Sequence, residues 1–197
     1  GFRFKRSVRS PNGEDVLWAL SQQFHYPYAP GSAGRLGPEL VLASKPFSAQ
    51  AEAIRSLRSQ LNMKLYTGEA ARLPVAVLSP SHGDGRSFLA ANLAIAFSQL
   101  GGRTLLVDAD LRNPRQHQVF ALSGAQDVGL SGILSGRSER NVIQSVPEFP
   151  SLFVMPVGVL PPKPTELVER PAFGMLMREL QSKFDYVVVD TPAASEG

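Results

Sequence analysis

The feature that most constrains this chain is a recurring unit: a short apolar run that ends on a turn-forming or acidic residue and passes into a helical period. Val75-Ala76-Val77-Leu78 leads into Ser79-Pro80-Ser81-His82-Gly83-Asp84-Gly85-Arg86-Ser87. Thr104-Leu105-Leu106-Val107 leads into Asp108-Ala109-Asp110, and Tyr186-Val187-Val188-Val189 into Asp190-Thr191-Pro192. Leu152-Phe153-Val154-Met155 is a further run of this kind. Between them, Leu89, Leu93, Ala96, Phe97 and Leu100 mark a helix over 87–100 that Gly101-Gly102 stops, and 172–183 reads as another. Runs that are apolar on both faces suit buried parallel strands. Their alternation with helices predicts an α/β fold, a parallel sheet flanked by helices on both faces. Only seven residues follow Asp190, too few to flank and cover so apolar a strand. The fold is therefore expected to be truncated at the C-terminus.

Residues 1–48 are expected to form an opening segment distinct from the domain at 49–197. The segment has a basic stretch, a short helical pattern (Glu14–Phe24) and a Pro-, Gly- and Ser-rich loop, Tyr26 to Ser32, that reads as a linker. The domain opens with a helix whose Ile54, Leu57, Leu61 and Leu65 form one apolar stripe, with Arg55 and Arg58 beside it.

Composition excludes several kinds of chemistry. With no cysteine there is no disulfide framework, thiolate metal site or cysteine nucleophile. His25, His82 and His117 lack ligand spacing, so zinc is not expected. No run approaches the ~18 apolar residues that span a bilayer, and no signal peptide opens the chain, so a soluble, cytoplasmic protein is expected. The formal charge of +3 collects at Arg3, Lys5, Arg6 and Arg9. These could favour an anionic membrane surface by ~1 kcal/mol each, although a solvated tail is the plainer account. The domain itself is neutral overall and carries no nucleic-acid footprint.

The loop at 79–87 carries the chemistry. Two glycines between a strand and a helix let backbone N–H groups close around phosphate oxygens, and the helix N-terminus adds its positive end. Ser87 offers a hydroxyl to Mg²⁺, and Arg86 a cation to the β- and γ-phosphates. The strict P-loop pattern is missed at Pro80 and Arg86, and alone Gly83-Asp84-Gly85 could be an ordinary turn. Asp108, Asp110 and Asp190 each follow a strand, where a lone acid is commonly a turn or cap residue. Together they gather at the carboxyl ends of parallel strands, where ligands bind in such sheets. Mg²⁺ takes hard oxygens, one or two of them from carboxylates.

These stretches resemble the bacterial tyrosine kinases. Ser79–Ser87 is similar to their Walker A, Asp108-Ala109-Asp110-Leu111-Arg112 to their Walker A′, and Asp190-Thr191-Pro192 to their Walker B. Glu52-Ala53-Ile54-Arg55-Ser56-Leu57-Arg58 resembles the helix through which these kinases form rings. Arg112 to His117, Gly129-Leu130-Ser131 and Gly158 to Leu167 are further family-like stretches. The subtype it looks like is the chain-length-determinant kinase of exopolysaccharide export. The resemblance implies phosphoryl transfer from ATP–Mg²⁺ to tyrosine hydroxyls of a neighbouring subunit. It implies nucleotide (ATP or ADP) held by His82, Gly83, Asp84, Gly85, Arg86, Ser87 and Phe88, and Mg²⁺ held by Ser87, Asp108 and Asp190. Arg86 and Asp110 are the implied catalytic residues, Asp110 orienting or deprotonating the incoming hydroxyl. It also implies a homo-oligomer through Glu52, Arg55 and Arg58, and a membrane chain-length-determinant partner at the inner face of the bacterial inner membrane. Arg86 stands where a lysine is usual, and Tyr26, Tyr28, Tyr66 and Tyr186 form no terminal cluster. Two rival readings share these motifs: a partitioning-type ATPase, which normally carries an earlier P-loop lysine absent here, and a nucleotide-binding interaction module.

Overall fold

The computed structural model describes residues 12–25, 28–30, 35–65, 74–77, 84–123, 127–137, 140–163, 166 and 171–191; at 29, 30, 77 and 84–87 it describes the backbone alone. The elements are α1 (Gly13–Ser21), a 3₁₀ turn (Gln22–Phe24), β1 (Ala29–Pro30), α2 (Val41–Ser44), α3 (Ala49–Leu65), β2 (Val75–Val77) and α4 (Asp84–Ser98). After them come β3 (Thr104–Asp108), α5 (Gln116–Val119), α6 (Leu130–Leu134), β4 (Gln144–Val146), β5 (Phe149–Met155), α7 (Pro171–Lys183) and β6 (Tyr186–Asp190). The strands form one sheet in the order β1-β4-β5-β3-β6-β2. All neighbours are parallel except β4 and β5, which run antiparallel with a register shift at Ser145/Val146.

The two-sided apolar strands bury both faces, as their sequence requires. Successive side chains point to opposite sides. Leu105, Val107, Val187 and Val189 join Val16, Ala19 and Leu20 of α1, Leu130 and Ile133 of α6, and Leu176 and Leu180 of α7 in one core. Leu106, Val188, Leu152 and Val154 join the other core, with α2, α3 and α4. Each such Leu or Val contributes ~1.5–3 kcal/mol by leaving water.

Helix α1 starts at a reciprocal cap. The Asp15 N–H donates to Asn12 Oδ1 and the Asn12 N–H to Asp15 Oδ2, both at 3.0 Å, which satisfies donors the first turn leaves open. The loop read as a linker contributes, at Ala29–Pro30, an edge strand paired in parallel with Gln144 and Ser145. Tyr28 packs on Phe153 and Phe184, with ring centroids 4.8 and 6.2 Å away.

Helix α4 is apolar nearly all round, with Ala90, Ala91, Ala94, Ile95, Ala96 and Phe97 fully buried. It lies between the sheet and the α2–α3 layer, the setting such a helix needs. Its polar exception, Asn92, ties the layers together: Nδ2 donates to the Glu39 and Phe88 carbonyls, and Oδ1 accepts from the Leu42 N–H. The helix stops before Gly101, which takes the left-handed φ of 93°.

Beyond β5, the family-like stretch Gly129-Leu130-Ser131 meets Pro156 and Val157, just ahead of the second such stretch, backbone to backbone. The Leu130 and Ser131 N–H groups donate to the Pro156 and Val157 carbonyls at 2.8 and 2.9 Å, and Ser131 Oγ donates to the Val159 carbonyl at 2.6 Å. A side chain on Gly129 would strike the Pro156 carbonyl and the Gly158 amide, so only glycine fits there.

Candidate functional site

Strands β2, β6 and β3 lie side by side and parallel, so their carboxyl ends open on one edge of the sheet. The register sets Val77 opposite Asp190, and Asp190 opposite Asp108. The chain leaves β2 at Val77 and enters α4 at Asp84, so the glycine-bearing loop joins the strand next to the paired acids. His82 and Gly83, with the rest of 78–83, and Pro192 lie outside the described residues, as do Tyr26 and Tyr66. Asp84, Gly85, Arg86 and Ser87 form the first turn of α4, and Phe88 packs half-buried against the core on that side.

Asp108 and Asp190 are both fully buried. Asp108 Oδ1 accepts from the Asp110 N–H, and Oδ2 from the Arg115 and Gln116 N–H groups, all at 3.1 Å. Burial first, then the neighbouring Asp190 charge, pushes the Asp108 carboxyl up to about 8; the N–H donors of Gln116 and Asp110 pull weakly the other way. Asp190 Oδ2 accepts from Gln116 Nε2 at 2.9 Å.

Asp110 lies nearby but is 4% exposed, and its Oδ1 accepts from the Asn113 N–H at 3.1 Å. It thus caps the turn that follows β3. Among the described residues no three His, Cys, Asp or Glu side chains converge. A cation at this edge would therefore meet a two-carboxylate, all-oxygen donor set completed by oxygens from elsewhere. That set fits Mg²⁺. A divalent ion would also offset both the burial and the mutual repulsion that hold a proton on Asp108.

The assembly residues divide. Arg55 Nη1 pairs with Glu52 Oε1 at 3.1 Å, one turn away along α3. Arg58 turns inward, and its Nη1 donates to the Ala96 carbonyl at 3.1 Å. The two arginines beside the apolar stripe thus take different partners, one on their own helix and one on α4. The cause is the last turn of α4, whose open carbonyls draw a cation.

Gln116 was not legible as a site residue. It lies in the stretch from Arg112 to His117, whose family likeness was the single pointer to it. Its contacts arise because α5 folds back over the ends of β3 and β6.

A parallel sheet with two acids at adjacent strand ends, beside a glycine loop that opens a helix, defines a P-loop-type nucleotide-binding α/β protein. No family model matches the chain. Tyrosine-protein kinase YwqD of Bacillus subtilis is 32% identical over 158 residues, which are 80% of this chain and 65% of YwqD. The crystal structure of the chimerical protein CapA2B2 superposes with a TM-score of 0.72 at 33% identity, covering 94% of this chain and 77% of that one. The kinase domain of Escherichia coli tyrosine kinase ETK superposes with a TM-score of 0.71 at 27% identity, covering 94% and 74%. The chain is thus similar in sequence and in fold to bacterial tyrosine kinases, and it spans between 21% and 65% of the length of curated relatives such as these.

Proposed function

We propose that this chain is the nucleotide-binding part of an ATP-dependent protein-tyrosine autokinase that regulates exopolysaccharide chain length and export, of the EpsG subtype. The observation that supports it most is the register pairing of buried Asp108 and Asp190 beside the strand that feeds the glycine loop.

In this reading Ser87 and Asp108 hold Mg²⁺, and Asp190 reaches it through water. The backbone from His82 to Phe88 surrounds the phosphates of ATP or ADP, and Arg86 places positive charge at the β- and γ-phosphates. When bound, Mg²⁺ supplies charge neutralisation along the phosphate chain. The incoming tyrosine oxygen bonds to the γ-phosphorus as the bond to the β–γ bridging oxygen breaks. ADP leaves, and the phenolic proton passes to Asp110. For this Asp110 must give up its cap on Asn113, a short rearrangement at the edge of the site. Subunits meet through Glu52, Arg55 and Arg58. The whole protein sits at the inner face of the inner membrane with a chain-length-determinant partner. No helix among the described residues is long and apolar enough to cross a membrane.

Calorimetry on the full-length protein, with and without Mg²⁺, tests the site. ATP and ADP affinity should depend on Mg²⁺ in the wild type and lose that dependence in Asp108→Ala. Affinity that ignores Mg²⁺ in the wild type would remove the site assignment. Incubation with ATP should yield phosphotyrosine; its absence under Mg²⁺-saturating conditions would leave a nucleotide-binding ATPase or interaction module.

A further inference from the structure

We infer that Gln116 is the positioning residue for the two metal carboxylates, holding Asp108 and Asp190 in fixed relation before a cation arrives. The inference rests on the nucleotide–Mg²⁺ reading of this site. Its basis is that one fully buried residue donates to both acids from two different parts of itself. The Gln116 backbone N–H donates to Asp108 Oδ2 at 3.1 Å, and its side-chain Nε2 donates to Asp190 Oδ2 at 2.9 Å. The two acceptors belong to neighbouring strands, β3 and β6, so the covalent length of one glutamine fixes the separation of the two carboxylates.

The residue is itself held. Its α5 helix is pinned by the Arg115 N–H on Asp108 at one end and by buried Val119 and Phe120 at the other. The Gln116 backbone is thus anchored beside the acids, and its fully buried side chain reaches Asp190 from that anchor.

Charge explains why an amide suits this place. Two ionised carboxylates side by side in a dry site repel, and without restraint they would splay or share a proton. A Lys or Arg between them would quench the repulsion but would have to be displaced by the cation. A Glu would add a third acid. The primary amide donates to an ionised acceptor without a full charge of its own. It therefore orders the pair and leaves its negative charge available. Outer partners of this kind commonly carry about 10–100-fold of metal affinity.

The test compares full-length wild type, Gln116→Met (similar length, no donor) and Gln116→Asn (a donor one methylene short). Calorimetry with ADP is run with and without Mg²⁺, and thermal unfolding checks that each variant folds. The expected result is about a tenfold loss of ADP affinity in the presence of Mg²⁺, with Mg²⁺-free affinity unchanged. A structural defect would lower both together. In the wild type, the Gln116 side-chain amide resonance should shift on adding Mg²⁺–ADP, a readout that needs no variant. A folded Gln116→Met with wild-type Mg²⁺ dependence, or an amide resonance that stays fixed, overturns the positioning role while leaving the nucleotide site intact. Wild-type ADP binding that is indifferent to Mg²⁺ overturns the underlying reading, and the role of Gln116 falls with it.

Discussion

Asp108 and Asp190 stand opposite one another in register across β3 and β6, both without solvent exposure. Burial, and after it the neighbouring Asp190 charge, push the Asp108 carboxyl up to about 8.

The pH dependence of folding follows from that value. In the unfolded chain an aspartate titrates near 3.9, so between about pH 4 and pH 8 the native chain binds the extra proton. Stability should fall as pH rises through this window, with a slope approaching about 1.4 kcal/mol per pH unit, and level off above about 8. Asp108→Asn should flatten the slope, while its amide NH2 leaves at least one of the backbone N–H donors of Asp110, Arg115 and Gln116 without an acceptor. Urea midpoints from pH 5 to 9 check both slopes. Equal slopes in the two proteins would mean that the Asp108 proton is not what the fold retains.

Arg86 governs rate more than affinity in the proposed mechanism. Backbone amides, helix N-terminus and metal all remain when its side chain is removed, so Arg86→Ala should keep nucleotide affinity within a few-fold. Phosphotyrosine formation should fall by about 10²-fold, the order expected for losing one interaction that strengthens in the transition state. Arginine and lysine present charge differently to a phosphate, and Arg86→Lys should change the rate without abolishing it. Radiolabel transfer in the full-length protein measures this. An Arg86→Ala rate equal to wild type removes the catalytic assignment.

The two arginines of α3 should separate experimentally. Arg58 makes a charge-assisted bond to a carbonyl in the last turn of α4, so Arg58→Ala should lose about 1–2 kcal/mol of stability. Arg55 pairs with exposed Glu52, a contact worth a few tenths of a kcal/mol. Arg55→Ala should leave stability unchanged and, on the assembly proposal, reduce the higher oligomers seen in sedimentation. A loss of oligomers confined to Arg58→Ala would place its effect inside the subunit.

Gly129→Ala tests the seam between the start of α6 and the segment after β5. The added methyl would meet the Pro156 carbonyl and the Gly158 amide, both backbone groups that cannot swing away. A loss of about 2 kcal/mol or more is expected in thermal unfolding, within the range for overpacking. Gly102→Ala meets the Tyr186 ring, a side chain with somewhat more room to shift, and should cost less.

The strands from β5 to β2 were legible because they are apolar runs, a pattern a helix could not bury in so short a stretch. Val75, Leu105, Leu152 and Val187 each mark a strand the structure contains. The two strands beyond β5, β4 and β1, were not. Gln144-Ser145-Val146 is polar on two positions, and β1 contains Pro30, so neither carries an apolar period. They are strands because β5 offers an edge and Tyr28 an aromatic anchor. The acids after β3 and β6 were legible as strand-end carboxylates. Their direct pairing was not, since nothing local says that β6 inserts between β2 and β3. Gln116 was hidden for the same reason: its role depends on where a four-residue helix folds back.

Helix α1 gives one more consequence, for how such a chain is cut. Val16, Ala19 and Leu20 are fully buried against Leu176 and Leu180 of α7 and share their core with Leu105 and Val107. Helix α7 runs on into β6, whose last residue is Asp190. An expression fragment begun at residue 49 would keep every motif and still strip one wall from the sheet. Leu176 and Leu180 would then face water on the helix that leads into the carboxylate-bearing strand. A working fragment starts ahead of Asn12, whose side chain and N–H close the first turn of that helix.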